Sequence, residues 1–305
     1  MTEVGWVITA IGRTGIEHAL GPVAAILKKH GLGVGGIEPL SGAQGVSGYA
    51  CAEFHAAGVI RDEASMRTEL SALADEISVD VAVQQLSERR QERRLFVFDM
   101  DSTLIQGETI DELARLAGVG EQVSAITASA MRGEIEFQES FRRRVALLNG
   151  LPEAKALEAI ERLPLMEGAE RLFRTLKARG AKTAILSGGF TFFGAVVKEK
   201  LGADYVFANE LDVREGLVTG EVRGRIVDGA RKAELLKEIA GREGIPLEQV
   251  VAVGDGANDL PMLGLAGMGV AFHAKPVVRA SARFSMTHVG LDGLLYLLGV
   301  PDWEW

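Results

Sequence analysis

Two aspartates two positions apart, Asp99 and Asp101 in FDMDST (98–103), close the apolar run RRLFVFDM where a buried strand would simply end. Acids make up 42 of the 305 residues, so the pair by itself decides little. Two further apolar runs end in the same polar way. KTAILSGG (182–189) ends in Ser187, Gly188 and Gly189, and QVVAVGDG (249–256) leads into GDGAND, with Asp255, Asn258 and Asp259. Lys232, opening the helical pattern after DGAR, supplies the cation that these three endings lack. The chemistry that fits is phosphoryl transfer through an aspartyl-phosphate. Phosphate monoesters repel nucleophiles and release a poor alkoxide, so their hydrolysis needs accelerations of up to ~10²¹-fold. Asp99, ionised and metal-bound, would attack phosphorus. Asp101, with a free pKa near ~3.9, must be held neutral by its charged neighbour to protonate the leaving oxygen. It could then take a proton from the water that hydrolyses the intermediate. Oxygen donors beside a phosphate suit Mg²⁺. Lys232, the Ser187 hydroxyl and the N–H groups of the Gly188–Gly189 pair would hold the phosphate oxygens.

Such residues converge only if the three runs lie side by side in one sheet, because open parallel sheets bind ligands beyond the carboxyl ends of their strands. Asp99 and Asp101 would share a face, as residues i and i+2 of a strand do. DYVFANEL (204–211) and MGVAF (268–272) are further continuous apolar runs, and helical patterns such as AERLFRTLKARG and ARKAELLKEIAGREG separate them. This alternation predicts an α/β fold with a doubly wound, mostly parallel sheet covered on both faces. From about 107 to 163 there is no convincing strand, which predicts a helical insertion over the sheet edge. The first 87 residues read differently. WVITA, a helix over 16–31, VGGIEPL, YACAEFHA, a helix in SMRTELSALADEI and VDVAVQQL give the order βαββαβ of a ferredoxin-like α+β sandwich. Residues 88–94, within SERRQERR, read as a charged, solvated linker. The expected domains are therefore 1–87 and 95–305.

A net charge of −9 argues against a general nucleic-acid partner, though not against a small anionic substrate. Cys51, the single cysteine, cannot form an intrachain disulfide, and no basic-then-apolar leader opens the chain. No apolar run approaches the ~20 residues that span a bilayer. The expectation is a cytoplasmic protein with no membrane partner. GLGVGG (31–36) matches a dinucleotide fingerprint but follows a helix, so it reads as a helix stop and turn. His18, His30, His55, His273 and His288 show no zinc-ligand spacing.

FDMDST, SGG, the Lys before AELL and GDGANDLPML resemble the four motifs of the haloacid dehalogenase superfamily of phosphatases, and most closely its phosphoserine-cleaving branch, over essentially all of residues 93–305. The resemblance implies Asp99 as nucleophile and Asp101 as acid/base. It implies Mg²⁺ on Asp99, Asp255 and the Asp101 backbone carbonyl, with Asp259 supporting the metal site. Ser187, Gly188, Lys232 and Asn258 would contact substrate, and the helical insertion would be the family's small cap. In the cap, Glu108 would meet the ammonium of O-phosphoserine and Arg144 its carboxylate, which an Arg fork grips at two points. Met131 and Phe137 would close over the substrate. The N-terminal unit is similar to ACT domains, on βαββαβ and on GRTGI (12–16); that implies a possible amino-acid ligand and a homodimer. Two alternatives remain open: a phosphotransferase passing the phosphate to another alcohol, and a non-catalytic serine sensor.

Overall fold

The computed structural model describes residues 4–13, 15–42, 48–86 and 90–305. Thr14 of GRTGI and residues 88–89 of the linker lie outside the described residues. The first elements are β1 (Val4–Gly12), α1 (Glu17–Lys29), β2 (Leu32–Pro39), β3 (Ala50–Gly58), α2 (Glu63–Ile77) and β4 (Val79–Gln85). They are followed by β5 (Leu95–Phe98), α3 (Thr109–Ala117), α4 (Gly120–Met131), α5 (Phe137–Ala146), α6 (Glu153–Glu158) and α7 (Ala169–Ala178). Then come β6 (Lys182–Phe190), α8 (Thr191–Leu201), β7 (Tyr205–Arg214), β8 (Leu217–Arg223) and α9 (Gly229–Glu243). The last strands are β9 (Val250–Gly254), β10 (Met268–Phe272) and β11 (Phe284–Met286).

The chain divides into two compact units: Met1–Arg93 with Glu167–Arg179 and Val270–Trp305, and Arg94–Met166 with Gly180–Gly269. The first contains a four-stranded antiparallel sheet in the order β2-β3-β1-β4. Trp6, Ile8 and Ala10 alternate along β1 and bury with Val23 and Leu27 of α1 and with Met66 and Leu70 of α2, as one apolar face of a strand and one stripe of a helix must. GLGVGG is only partly a turn: α1 stops at Lys29, Gly31 takes a positive φ, and residues 32–36 already pair in β2, bulged between Val34 and Gly36. The linker is not simply solvated either. Arg90, in a short 3₁₀ turn, forks onto the buried Glu53 at 2.5 and 3.0 Å, and Thr9 Oγ1 donates to the same carboxylate at 3.0 Å.

The second unit carries the parallel α/β sheet. Its strand order is β9-β5-β6-β7-β8, parallel from β9 to β7. Leu95 pairs with Val250 and Lys182, and Phe98 with Val253 and Ile185, which brings the three polar-ended strands into adjacent positions. All four residues of β5 are buried, the reason its sequence is continuously apolar. The antiparallel partner of β7 was not anticipated. Glu215 and Gly216 both take positive φ between β7 and β8, the pairing that a tight two-residue hairpin turn requires. Residues 109–162 hold four helices, α3 to α6, and a closing 3₁₀ turn (Ala159–Arg162), and no strand among the described residues, as the absence of strand signals there predicts. The antiparallel bridge Ile105–Leu165 pins the two ends of this insertion together.

Candidate active site

β5 ends one residue before Asp99, whose N–H donates to Val253 O of β9 at 2.9 Å and so extends the parallel ladder. The chain then turns sharply: Ser102 adopts a left-handed conformation, and its hydroxyl donates to Glu108 Oε1 at 2.9 Å. This turn folds Asp101 back over the strand ends. Asp101 Oδ1 accepts the Thr109 N–H at 2.8 Å, at the start of α3, and Oδ2 accepts from Ser187 Oγ at 3.3 Å. Ser187 is buried in β6 and also accepts the Gly189 N–H at 2.8 Å. The N–H of Gly189 is therefore taken up by Ser187, contrary to the expectation that both glycines of the pair offer theirs to a phosphate. Gly189 serves by its lack of a side chain: a Cβ there would lie 2.5 Å from Asp101 Oδ2 and 2.6 Å from Thr109 Oγ1.

Lys232 rises from the first turn of α9, whose N-cap Asp228 accepts the Arg231 N–H. Its side chain is fully buried, with Nζ 2.7 Å from both Asp99 Oδ1 and Asp259 Oδ1. Asp259 is held from the other side by the Gly256 N–H at 2.9 Å. Asp255 accepts from Thr103 Oγ1 at 3.3 Å. Ligand oxygens of Asp99, Asp255 and Asp259 lie within 4.8 Å of one another. Asn258 sits in the short 3₁₀ turn Ala257–Asp259, half-buried beside them.

Crowded acids without water repel their own ionisation. Burial, then the Asp259 charge, with Asp101 and Asp255 adding, holds Asp99 well above the usual carboxylate range against the pull of Lys232. Asp101 is pushed up to about 7, by burial first and then by Glu108, against the Thr109 N–H. Burial, more than the charged neighbour to which the aspartate spacing points, holds this proton. Burial also works against the Lys232 ammonium, yet Asp259 and Asp99 more than offset it, so the ammonium stays charged.

The insertion supplies a second cation. Phe137, Ser140, Phe141, Arg144 and Val145 fall on one stripe of α5 at i, i+3, i+4, i+7 and i+8, and Ser140, Phe141 and Val145 are buried. Arg142 and Arg143 point outward, whereas Arg144 is drawn in with that stripe. Its guanidinium is lowered by burial and held up by Glu108, Asp111 and Asp101. Its Nε is buried with no hydrogen-bond partner among the described residues, and Nη1 reaches Thr127 Oγ1 at 3.5 Å. The Phe137 ring lies 3.6 Å from where a Gly188 side chain would begin and stacks on Phe141. Met131, at the end of α4, keeps 65% of its surface exposed.

Three contributors escaped the sequence reading. Thr103 and Thr109 orient Asp255 and Asp101, as above. Asn209, buried in β7, donates to Gly188 O at 2.8 Å and Gly189 O at 3.3 Å while accepting the Val227 N–H at 2.9 Å. It clips the SGG stretch of β6 to the segment before α9. The signal available was a single amide inside the apolar run YVFANEL, since a buried amide must be hydrogen-bonded.

Residues 96–264 match the family model of haloacid dehalogenase-like hydrolases. The chain belongs to the haloacid dehalogenase-like hydrolase family. It is 50% identical over 242 residues to a phosphoserine phosphatase of Archaeoglobus fulgidus, covering 79% of this chain and 70% of that one. It is 42% identical over 297 residues to a phosphoserine phosphatase of Streptomyces coelicolor, covering 97% of this chain and 71% of that one. A crystal structure of a haloacid dehalogenase family hydrolase from Salmonella enterica serovar Typhi superposes with a TM-score of 0.86 at 31% identity, over 96% of this chain and 98% of that one.

The donor set of this haloacid dehalogenase-like hydrolase fits a divalent metal. Three buried carboxylates, Asp99, Asp255 and Asp259, crowd together, and the Lys232 ammonium pairs with Asp99 and Asp259. A hard cation would relieve the repulsion that raises Asp99, and oxygen donors are the ligands Mg²⁺ takes.

Proposed function

We propose that this protein is a Mg²⁺-dependent phosphoserine phosphatase that hydrolyses O-phospho-L-serine to L-serine and phosphate through an aspartyl-phosphate on Asp99. The observation that carries the reading is the inward Arg144 guanidinium, its Nε unpaired among the described residues and its charge sustained by Glu108, Asp111 and Asp101. An aryl or sugar phosphate has no use for it; a zwitterion whose carboxylate and ammonium need separate partners does. The identity of 42–50% to phosphoserine phosphatases over most of the chain supports the same substrate.

In this mechanism Asp99 is the attacking carboxylate, and Lys232 holds it in place. Asp101, which its raised pKa keeps protonated in a large share of molecules near neutral pH, gives its proton to the serine oxygen as the phosphorus–oxygen bond breaks. The Asp101 carboxylate then accepts a proton from the water that cleaves the aspartyl-phosphate. Ser187, Gly188, Lys232 and Asn258 steady the phosphate oxygens. Glu108 takes the substrate ammonium, Arg144 its carboxylate, and Phe137 and Met131 close over it. Asp99, Asp255 and the Asp101 carbonyl would hold Mg²⁺, with Asp259 in support. When bound, the ion neutralises charge between nucleophile and phosphate and keeps Asp99 ionised.

Residues 1–87 act in this scheme as an ACT-like module of ferredoxin-like type, joined by 88–94 to the phosphatase domain 95–305 with its cap at about 107–163. The βαββαβ order and four-stranded antiparallel sheet support it. An amino acid at that module, a homodimer, a cytoplasmic location and a place at the last step of serine biosynthesis complete the proposal. The test is phosphate release from O-phosphoserine with Mg²⁺ present, with and without an acceptor alcohol. Release of free phosphate and serine is expected; no release, or release only with transfer to the alcohol, would overturn the reading.

A further inference from the structure

The cap and the helix of Lys232 are tied by one contact that no part of the mechanism uses. Gln138 Nε2 on α5 donates to Asp228 Oδ2 at 2.5 Å. Asp228 is the N-cap of α9, with its other oxygen, Oδ1, accepting the Arg231 N–H at 2.9 Å and its main-chain carbonyl accepting the Lys232 N–H at 2.9 Å. On the far side of the amide, Arg142 Nη2 donates to Gln138 Oε1 at 3.3 Å. A carboxylate only accepts and a guanidinium only donates, so a single orientation of the Gln138 amide satisfies both neighbours. Each end of the contact adjoins the site: Phe137, over Gly188, precedes Gln138, and Lys232 stands one helical turn beyond Asp228.

We infer that Gln138 and Asp228 are a positioning pair, a clasp that holds the cap over the strand ends so that Phe137 and Arg144 meet the substrate. The clasp rests on the phosphatase reading for its effect on catalysis. It makes no contact with the reacting atoms; it sets the fraction of molecules whose cap is closed. A less populated binding-competent state raises apparent KM by the reciprocal of its fraction and leaves the chemistry of the closed state unchanged.

Reversing the pair's polarity tests this. Gln138→Glu faces one carboxylate with another. Asp228→Asn keeps an oxygen for the α9 N-cap, since Asn caps as well as Asp, but turns an NH₂ towards the NH₂ of Gln138. The double variant restores a hydrogen bond with donor and acceptor exchanged. With O-phosphoserine and Mg²⁺, each single variant should raise KM roughly two- to tenfold, the worth of one exposed hydrogen bond, with kcat within about twofold. The double variant should return KM to near the parent value. Unchanged KM in the single variants, or a double variant whose loss is the product of the two, overturns the clasp. Amide hydrogen exchange over residues 134–141, measured without substrate, separates this from the function itself. Faster exchange in the single variants, reversed in the double, sustains the clasp even where the parent protein releases no phosphate from O-phosphoserine and the phosphatase reading falls. Exchange identical in all four proteins sinks it.

Discussion

Lys232 and Asp99 meet at 2.7 Å with almost no water around either, and the same ammonium is 2.7 Å from Asp259. One buried cation thus holds the nucleophile and its acidic neighbour together. Removing a single partner of a buried pair leaves charge without compensation and costs about 3–5 kcal/mol. Lys232→Ala should lower the unfolding free energy by that amount in denaturant titrations and abolish phosphate release. A variant that melts like the parent would mean that the acids had found another partner.

Asp99→Asn should separate stability from activity. It removes one acid from a crowded cluster while Asp259 still pairs with Lys232, so the metal-free fold should persist. Turnover should vanish, because an amide is a far weaker nucleophile. Phosphate release near the parent rate would refute the covalent route.

Asp101→Asn should keep substrate binding and lose leaving-group protonation. Rapid quench with labelled phosphoserine should show slow formation and slow decay of any aspartyl-phosphate, since the same group serves both steps. Normal decay after slow formation would assign the water's proton to a different base.

Arg144→Ala tests specificity. Truncating one partner of a buried, hydrogen-bonded charge pair costs about 2–5 kcal/mol, roughly 30- to several-thousand-fold. The loss in kcat/KM should appear for O-phosphoserine and be nearly absent for an aryl phosphate or phosphoethanolamine, which lack the carboxylate. Equal losses for all three would indicate a folding defect instead.

The pH dependence of stability has a definite sign. Asp101 stands at about 7 in the fold against roughly 3.9 in an open chain, and Asp99 is displaced in the same direction. The folded protein therefore binds more protons than the unfolded chain between those values. The stability from neutral Asp101 is complete below about pH 4 and is lost as pH rises through about 7. With chelator present, the unfolding free energy should fall from pH 5 to pH 8, and Asp101→Asn should flatten that slope. A parent and variant with parallel profiles would show that burial does not hold this proton.

The sequence by itself determined the strands of the parallel sheet and what lies at their ends. Continuous apolar runs closing on DMD, SGG and GDGAND are local statements, because a strand covered on both faces must be apolar throughout and its polar residues can only gather where it ends. The helical insertion was equally legible, since it carries no strand signal, whereas that Arg144 turns inward from the RRR run follows from the packing of α5. Other features belong to the tertiary structure alone. Asn209 looks like any polar residue in a strand until its neighbours Gly188, Gly189 and Val227 arrive from elsewhere in the chain. Arg90 reads as surface charge until Glu53 is buried beneath it. The inclusion of Glu167–Arg179 and Val270–Trp305 in one compact unit with residues 1–93 follows from packing across long stretches of chain. The protonation of Asp101 was decided there too. The spacing of two aspartates sets which charges are near, but desolvation depends on everything packed around them, and only the folded molecule removes the water.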